Sequence, residues 1–237
     1  MRSFQRFYTD AAAAPYDDGY AVTLDARPVK TPGARVDLTV PTRPLADAIA
    51  QEWADQGEQV DPPSMPLTAL ACTAHDVAGP RRQDLITAIT RYAETDLVCY
   101  RAPKPPVLAD REQEVWQPLL DWLALTFDAR LDTTTGILPI EQPAAAKQAL
   151  TAAVARYDAM HLAALSSSVH AAGSIVVGLA LIEGRLSAEQ AFHAAEVERT
   201  YQIEQWGEDL EASQERETLM RDLDAAERFV AHLGGVC

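Results

Sequence analysis

The spacing of apolar residues changes from two to about four roughly forty residues into the chain. Before that point, Tyr20, Val22 and Leu24 alternate with other residues, and residues 36–40 repeat the alternation. Alternation of this kind places one face of a β-strand against a core. We therefore predict half-buried strands in the first forty residues, with a turn at residues 25–27.

Helical spacing dominates the rest of the chain. Leu45, Ile49 and Trp53 lie four apart behind Thr42, which is a good helix N-cap residue. Further helical patterns cover residues 67–77, 85–92, 110–127, 143–157, 160–182 and 188–211, and the segment to residue 233 is also helical in character. We expect the fifth of these to break near its three serines, at residues 166–168, and the last to form one long helix.

These patterns predict an α+β fold, with a small β-rich N-terminal domain followed by a larger, mostly α-helical domain. We place the first domain at residues 1–60 and the second at residues 61–237, with the boundary set to within about thirty residues.

The composition indicates an acidic protein of a reducing compartment. The formal net charge is -15, which repels nucleic acid and anionic membranes, so we expect neither as a partner. The three cysteines, Cys72, Cys99 and Cys237, form no CxxC motif and cannot all pair within the chain. The first ten residues lack the apolar core of a signal peptide, and we expect a cytoplasmic protein.

Catalytic chemistry has little support in the sequence. There is no nucleophile elbow, no P-loop and no dinucleotide-binding glycine motif. The five histidines are scattered, and His161 and His170 lie nine apart, whereas helical metal ligands lie four apart. We expect no catalytic residue, no cofactor and no metal. Two alternatives stay open: a metal-dependent hydrolase with an acidic helical site, and an interaction protein with another client.

Two stretches are candidates for partner binding. "LDARPVKTP" places Arg27 and Lys30 at a proline-flanked turn in an acidic protein, and "TYQIEQWGED" places Tyr201, Glu204 and Trp206 on a helix. The first is either a solvated hairpin tip or a rigid basic contact. In the second, either the aromatic rings cap the core while the acids face water, or both form a docking surface. We interpret the glycine after the tryptophan as a position within a helix where either another backbone packs close or the helix bends.

Six blocks in order along the chain resemble the family of F-type ATP synthase assembly chaperones that handle the alpha subunit (assembly factor Atp-twelve). The blocks are "RFY", "LDARPVKTP", "AIAQEWADQGEQVDPPSMPLTALACTAHD", "ETDLVCYRA", "GSIVVGLALIEGRLS" and "YQIEQWGED". The resemblance implies a non-catalytic chaperone that binds the free alpha subunit before it pairs with beta. It also implies a small β-rich domain followed by a helical domain. One departure is Ala26, where the family more often has glycine.

The resemblance also implies where the partner binds. It places contacts on the acidic-aromatic helix and in the N-terminal blocks, at Glu198, Tyr201, Glu204, Trp206, Glu208, Asp209, Arg27 and Lys30. Trp53 is expected in the core. Since the chain lacks the leading transit segment of mitochondrial relatives, we expect a bacterial, cytoplasmic member that acts as a monomer.

Overall fold

The N-terminal part of the chain is a small antiparallel sheet, as the alternating pattern predicts. The computed structural model describes residues 3–136, 138–207 and 210–235. The strands of this sheet are β2 (Ala11–Tyr16), β3 (Gly19–Leu24), β4 (Arg27–Pro28) and β5 (Thr39–Val40), and a short strand β1 (Phe4–Gln5) precedes them outside the sheet. β2 pairs with the whole of β3, whereas β4 and β5 pair with successive parts of β3.

The turn between β3 and β4 is a two-residue hairpin turn. Leu24 pairs with Arg27, and Asp25 and Ala26 between them have φ values of 48° and 64°. Positive φ at both central residues is typical of a type I′ turn, which matches the twist of the flanking strands. Alanine thus occupies a left-handed position that glycine adopts with less strain. The Asp25 carboxylate accepts hydrogen bonds from the main-chain N–H groups of Thr9 and Asp10, which anchors the turn.

Helix α1 (Arg43–Ala54) covers this sheet. Its N-cap is Thr42, as predicted, and its apolar stripe, which ends at Trp53, is buried. The chain then forms β6 (Gln59–Val60), which pairs with β1. The buried side chains of this part belong to one continuous apolar cluster that extends through the helical part as far as Val230.

The helical part follows a short 3-10 turn. Its elements are α2 (Pro66–Thr73), α3 (Arg82–Thr90), β7 (Tyr100–Arg101), α4 (Pro106–Phe127), β8 (Thr134–Thr135), α5 (Ala144–Val154), α6 (Ala159–Ala172), α7 (Ile175–Ile182), α8 (Ala188–Ala195), α9 (Val197–Trp206) and α10 (Leu210–Leu233). Helix α4 starts four residues before the predicted helix, because a proline at the first helical position is compatible with helix geometry. The predicted α+β class is confirmed.

The predicted break at residues 166–168 is wrong. Helix α6 continues through these serines, and Ser168 is buried with its Oγ bonded to the Leu165 carbonyl oxygen. The break comes at Gly173, which has φ 65°, and Ser174 then caps α7 by accepting a hydrogen bond from the Val177 N–H group. A left-handed residue followed by a capping serine ends one helix and starts the next.

The prediction of one long helix from residue 188 is also wrong. Helix α8 begins with the capping box of Ser187 and Gln190, as its sequence pattern indicates. It ends at Glu196, which has φ −108° and ψ 14°. Helix α9 starts there and ends before Gly207, which has φ 85° and ψ 166°. Gly207 therefore does not lie within a helix, as both interpretations assumed, but terminates α9.

Candidate partner-binding surface

Helix α9 lies on the surface of the helical part. Among its ten residues, all of which the structure describes, Val197 alone is buried. Its main packing partner is α4. Most helices in proteins are stabilised by a packed apolar face. Because most side chains of α9 are not buried within the protein, they are accessible to another molecule.

Arg111 of α4 connects the two helices. Its guanidinium forms an ion pair with Glu204, with 2.8 Å between Nη1 and Oε2. The same guanidinium lies 5.5 Å from the centre of the Tyr201 ring, within the range of a cation–π contact. Tyr201 is half-buried and packs on the core. The sequence-predicted Tyr201 and Glu204 are thus brought together by an arginine that the sequence analysis did not identify.

Trp206 does not cap the core. It is 78% exposed, although a large aromatic side chain normally gains most from burial. It occupies the last position of α9, directly before Gly207. We define the α9 surface as Arg111, Tyr201, Glu204 and Trp206. Trp, Tyr and Arg are residue types that are enriched in protein interfaces and at their energetically important positions.

Glu198 lies at the base of α9, against buried groups of α4. The negative charge of Glu198 acts on the neighbouring Glu112 carboxyl of α4. Burial and the neighbouring Glu198 raise the pKa of Glu112, while the N–H group of Ala102 and the Arg101 guanidinium oppose the increase. The Ala102 N–H group donates to Glu112 Oε2 over 2.7 Å. Glu198 therefore also shapes the support beneath α9.

The start of α9 is fixed by an ion pair with α10. Glu196 is buried, and its Oε2 lies 2.8 Å from Nη1 of Arg216. Arg216 also lies over the ring of Phe192, with 5.0 Å to the ring centre. This contact holds the junction of α8 and α9 against α10. The predicted contacts Glu208 and Asp209 lie outside the described residues.

Arg27 and Lys30 lie in the N-terminal part, where they line a cavity to which no residue of α9 contributes. Arg27 is at the exposed hairpin end, and Lys30 forms an ion pair with Asp37, with 2.7 Å between Nζ and Oδ1. The two halves of the predicted site are therefore separate surfaces. Trp53 is buried as expected, and it lines the same cavity.

Comparison with known proteins establishes the family. A family model described as ATP12 chaperone protein matches residues 5–124. The chain belongs to the ATP12 chaperone family. The family that the sequence resemblance indicated is thereby confirmed.

Relatives extend this match over nearly the whole chain. Protein atp12, mitochondrial, of Schizosaccharomyces pombe is 27% identical over 222 residues, which is 86% of this chain and 74% of the yeast protein. The crystal structure of Atp12 from Paracoccus denitrificans is 36% identical, covers 97% of this chain and 98% of its own, and superposes with a TM-score of 0.90. Atu1473 of Agrobacterium tumefaciens is 35% identical, covers 98% of this chain and 87% of its own, and has a TM-score of 0.91.

The described residues contain neither a metal-binding cluster nor a membrane-spanning helix. In residues 3–136, 138–207 and 210–235, no three His, Cys, Asp or Glu side chains are placed to hold a metal ion together. No helix within the same ranges combines the length and the apolar character needed to cross a bilayer.

Proposed function

We propose that this protein is a non-catalytic assembly chaperone that binds the free alpha subunit of the F-type ATP synthase until alpha pairs with beta. The observation that carries the proposal is membership of the ATP12 chaperone family together with a fold match to Paracoccus Atp12 over 97% of the chain. The sequence resemblance supplies the client. We place the protein in a bacterial cytoplasm, where it acts as a monomer.

The physical task of such a chaperone agrees with the properties of the α9 surface. A subunit that has not yet met its partner exposes apolar area that promotes aggregation. A protein that covers this area for a limited time needs an apolar anchor and charges that favour the correct encounter. Trp206 provides an exposed anchor, and the net charge of -15 favours a client surface with basic groups.

We assign the client contacts to the α9 surface and its continuation. Tyr201, Glu204 and Trp206 form the described part, Glu208 and Asp209 extend it along the sequence, and Glu198 supports it from the base of the helix. Arg27 and Lys30 form a second contact, on the N-terminal part of the chain.

Replacement of Trp206 by alanine tests the anchor. Exposed aromatic anchors at the centre of an interface contribute about 2 kcal/mol or more, so Trp206→Ala should weaken binding to purified alpha subunit at least about 30-fold. The midpoint of thermal unfolding should stay unchanged, because the side chain makes few contacts within the protein. Leu125→Ala is the matched control. Leu125 is 86% exposed and lies near the C-terminal end of α4, whereas Arg111, which contacts α9, lies near its N-terminal end.

Reversal of charge at Glu204 tests the electrostatic part. Glu204→Lys breaks the ion pair with Arg111, whose side chains are 44% and 40% exposed, so stability should change by less than about 1 kcal/mol. Binding to alpha should weaken about tenfold, with a smaller effect at high salt. If both Trp206→Ala and Glu204→Lys fold and bind alpha as well as the wild type does, the α9 surface is not the client site.

A further inference from the structure

An apolar cavity opens in the N-terminal part, and no residue of α9 lines it. Its volume is about 670 Å³, within the usual size range of binding sites. It lies between the β3–β4 hairpin, the N-terminal segment, α1 and α2. Its apolar walls include Tyr8, Leu24, Val29, Trp53, Val60 and Met65.

The charged groups around this cavity are mostly positive, in a protein that is strongly negative overall. Arg27, Lys30 and Arg35 line it, and Asp25 is the one acid among the lining residues that the structure describes. The Asp25 carboxylate already accepts hydrogen bonds from two main-chain N–H groups. Lys30 is paired with Asp37, whereas neither arginine has a carboxylate within ion-pair distance among the described residues. The cavity therefore attracts a negatively charged group.

One wall residue has an unused hydrogen-bond donor. Trp53 is only 8% exposed, and its Nε1 has no hydrogen-bond partner among the residues that the structure describes. A buried donor without a partner costs about 1–3 kcal/mol. Neighbouring Tyr8 differs in this respect, because its hydroxyl donates to the Trp53 carbonyl oxygen over 2.7 Å.

Apolar surface continues from the cavity onto the outside of the protein. Phe7 is 71% exposed and Phe4 is 37% exposed, and their ring centres are 6.2 Å apart. Both line the cavity. Exposed apolar surface that continues into a cavity is typical of a site for an extended ligand, which fills the cavity and also lies across its mouth.

We propose that this cavity binds an extended peptide segment of a protein client, with a bulky apolar side chain inside and an acidic residue beside Arg27 and Arg35. The inference rests on the proposed function in one respect, that the occupant belongs to a protein client. It assigns a second binding site whose charge preference is opposite to that of the α9 surface.

The test uses two labelled peptides and the full chain. One peptide has the sequence Asp-Leu-Phe-Asp-Glu, and the other carries lysine in place of each acid. We expect saturable binding of the acidic peptide by fluorescence anisotropy and at least about tenfold weaker binding of the basic one. In a nitrogen-15 NMR spectrum the indole N–H signal of Trp53, assigned by its loss in Trp53→Phe, should shift with the acidic peptide.

Two variants locate the site. Arg27→Glu combined with Arg35→Glu should weaken binding of the acidic peptide about tenfold or more, because two attractive charges become repulsive. Arg91→Glu, which changes an exposed arginine that does not line the cavity, should leave it unchanged. The inference is overturned if the acidic peptide does not bind, if both peptides bind equally, or if the double variant binds as the wild type does.

The same variants separate this inference from the proposed function. Binding of purified alpha subunit is measured in parallel for the cavity double variant and for Trp206→Ala. Loss of alpha binding in Trp206→Ala, with no peptide binding in any variant, would leave the chaperone proposal intact and refute the cavity site. Peptide binding that depends on the cavity arginines, with no binding of alpha to the wild type, would leave the cavity site intact and refute the alpha client.

Discussion

The Asp96 carboxylate connects its own turn to the turn that begins α7. Its removal should lower the free energy of unfolding. Asp96 is fully buried and accepts hydrogen bonds from Val98 N at 3.1 Å, Ser174 Oγ at 2.7 Å and Val176 N at 3.2 Å. Asp96→Ala leaves all three donors without this acceptor, and the two N–H groups cannot rotate toward another. Each unsatisfied donor costs about 1–3 kcal/mol, so the two N–H groups alone should lower the free energy of unfolding by roughly 2–6 kcal/mol.

The charge on Asp96 acts in the opposite direction and depends on pH. Burial raises the pKa of Asp96 from 3.8 to about 6, against the effect of its hydrogen bonds. A carboxyl group whose pKa is higher in the folded state stabilises the fold most at low pH, and this contribution declines as pH rises through both pKa values. Between pH 5 and pH 8 the wild type should therefore lose about 1.4 kcal/mol that Asp96→Ala does not lose.

Urea unfolding at several pH values measures both effects. The free energy of unfolding of the wild type and of Asp96→Ala is determined by circular dichroism at pH 5, 6, 7 and 8. We expect the wild type to be more stable throughout, with the difference largest at pH 5. A difference that grows with pH, or that stays below about 1 kcal/mol at every pH, would refute this account of the junction.

Two further changes test the packing of α6 on α7 and the support beneath α9. A Cβ atom added at Gly178 would lie 2.4 Å from Val169 Cγ2 and 3.2 Å from Val169 Cα. Gly178→Ala should therefore lower the free energy of unfolding by about 1–3 kcal/mol. If a urea titration gives this variant the stability of the wild type, the close packing of α6 on α7 is contradicted. Glu112→Gln removes a carboxyl group whose pKa burial has raised, and the amide oxygen can still accept from the Ala102 N–H group. Because the pKa of Glu112 is raised in the folded state, its contribution to the free energy of unfolding declines as pH rises. Glu112→Gln should therefore be at least as stable as the wild type at pH 8, and its stability should depend less on pH. A clear loss of stability at pH 8 would show that the charged form is required.

The elements that are determined by residues close together in the sequence were predictable. The alternation at Tyr20, Val22 and Leu24 predicted β3, and the stripe ending at Trp53 predicted α1. The capping box at Ser187 also predicted the start of α8. In each case the signal and the structure it determines lie within a few residues of each other.

The failures came from contacts between distant residues or from competing local signals. The end of α8 at Glu196 coincides with an ion pair to Arg216, twenty residues further on, which no local pattern indicates. The serines of α6 suggested a break because serine disfavours helix interiors, yet Ser168 is accommodated by a hydrogen bond to the preceding turn.

The candidate site was predictable in part. The sequence identified Tyr201, Glu204 and Trp206 by residue type and helical spacing, and the structure shows that Trp206 is exposed. It could not identify Arg111, because that residue lies ninety or more positions earlier in the chain. The cavity could not be predicted from the sequence either, because its walls come from four separate segments of the chain.

Binding to separated ATP synthase subunits tests the central claim most directly. The tagged protein is mixed with purified alpha, with purified beta, and with alpha followed by beta, and each mixture is analysed by size-exclusion chromatography with light scattering. We predict a complex of one chaperone with one alpha subunit, no complex with beta, and release of the chaperone when beta is added. Retention of neither subunit, or equal retention of both, would contradict the proposed function.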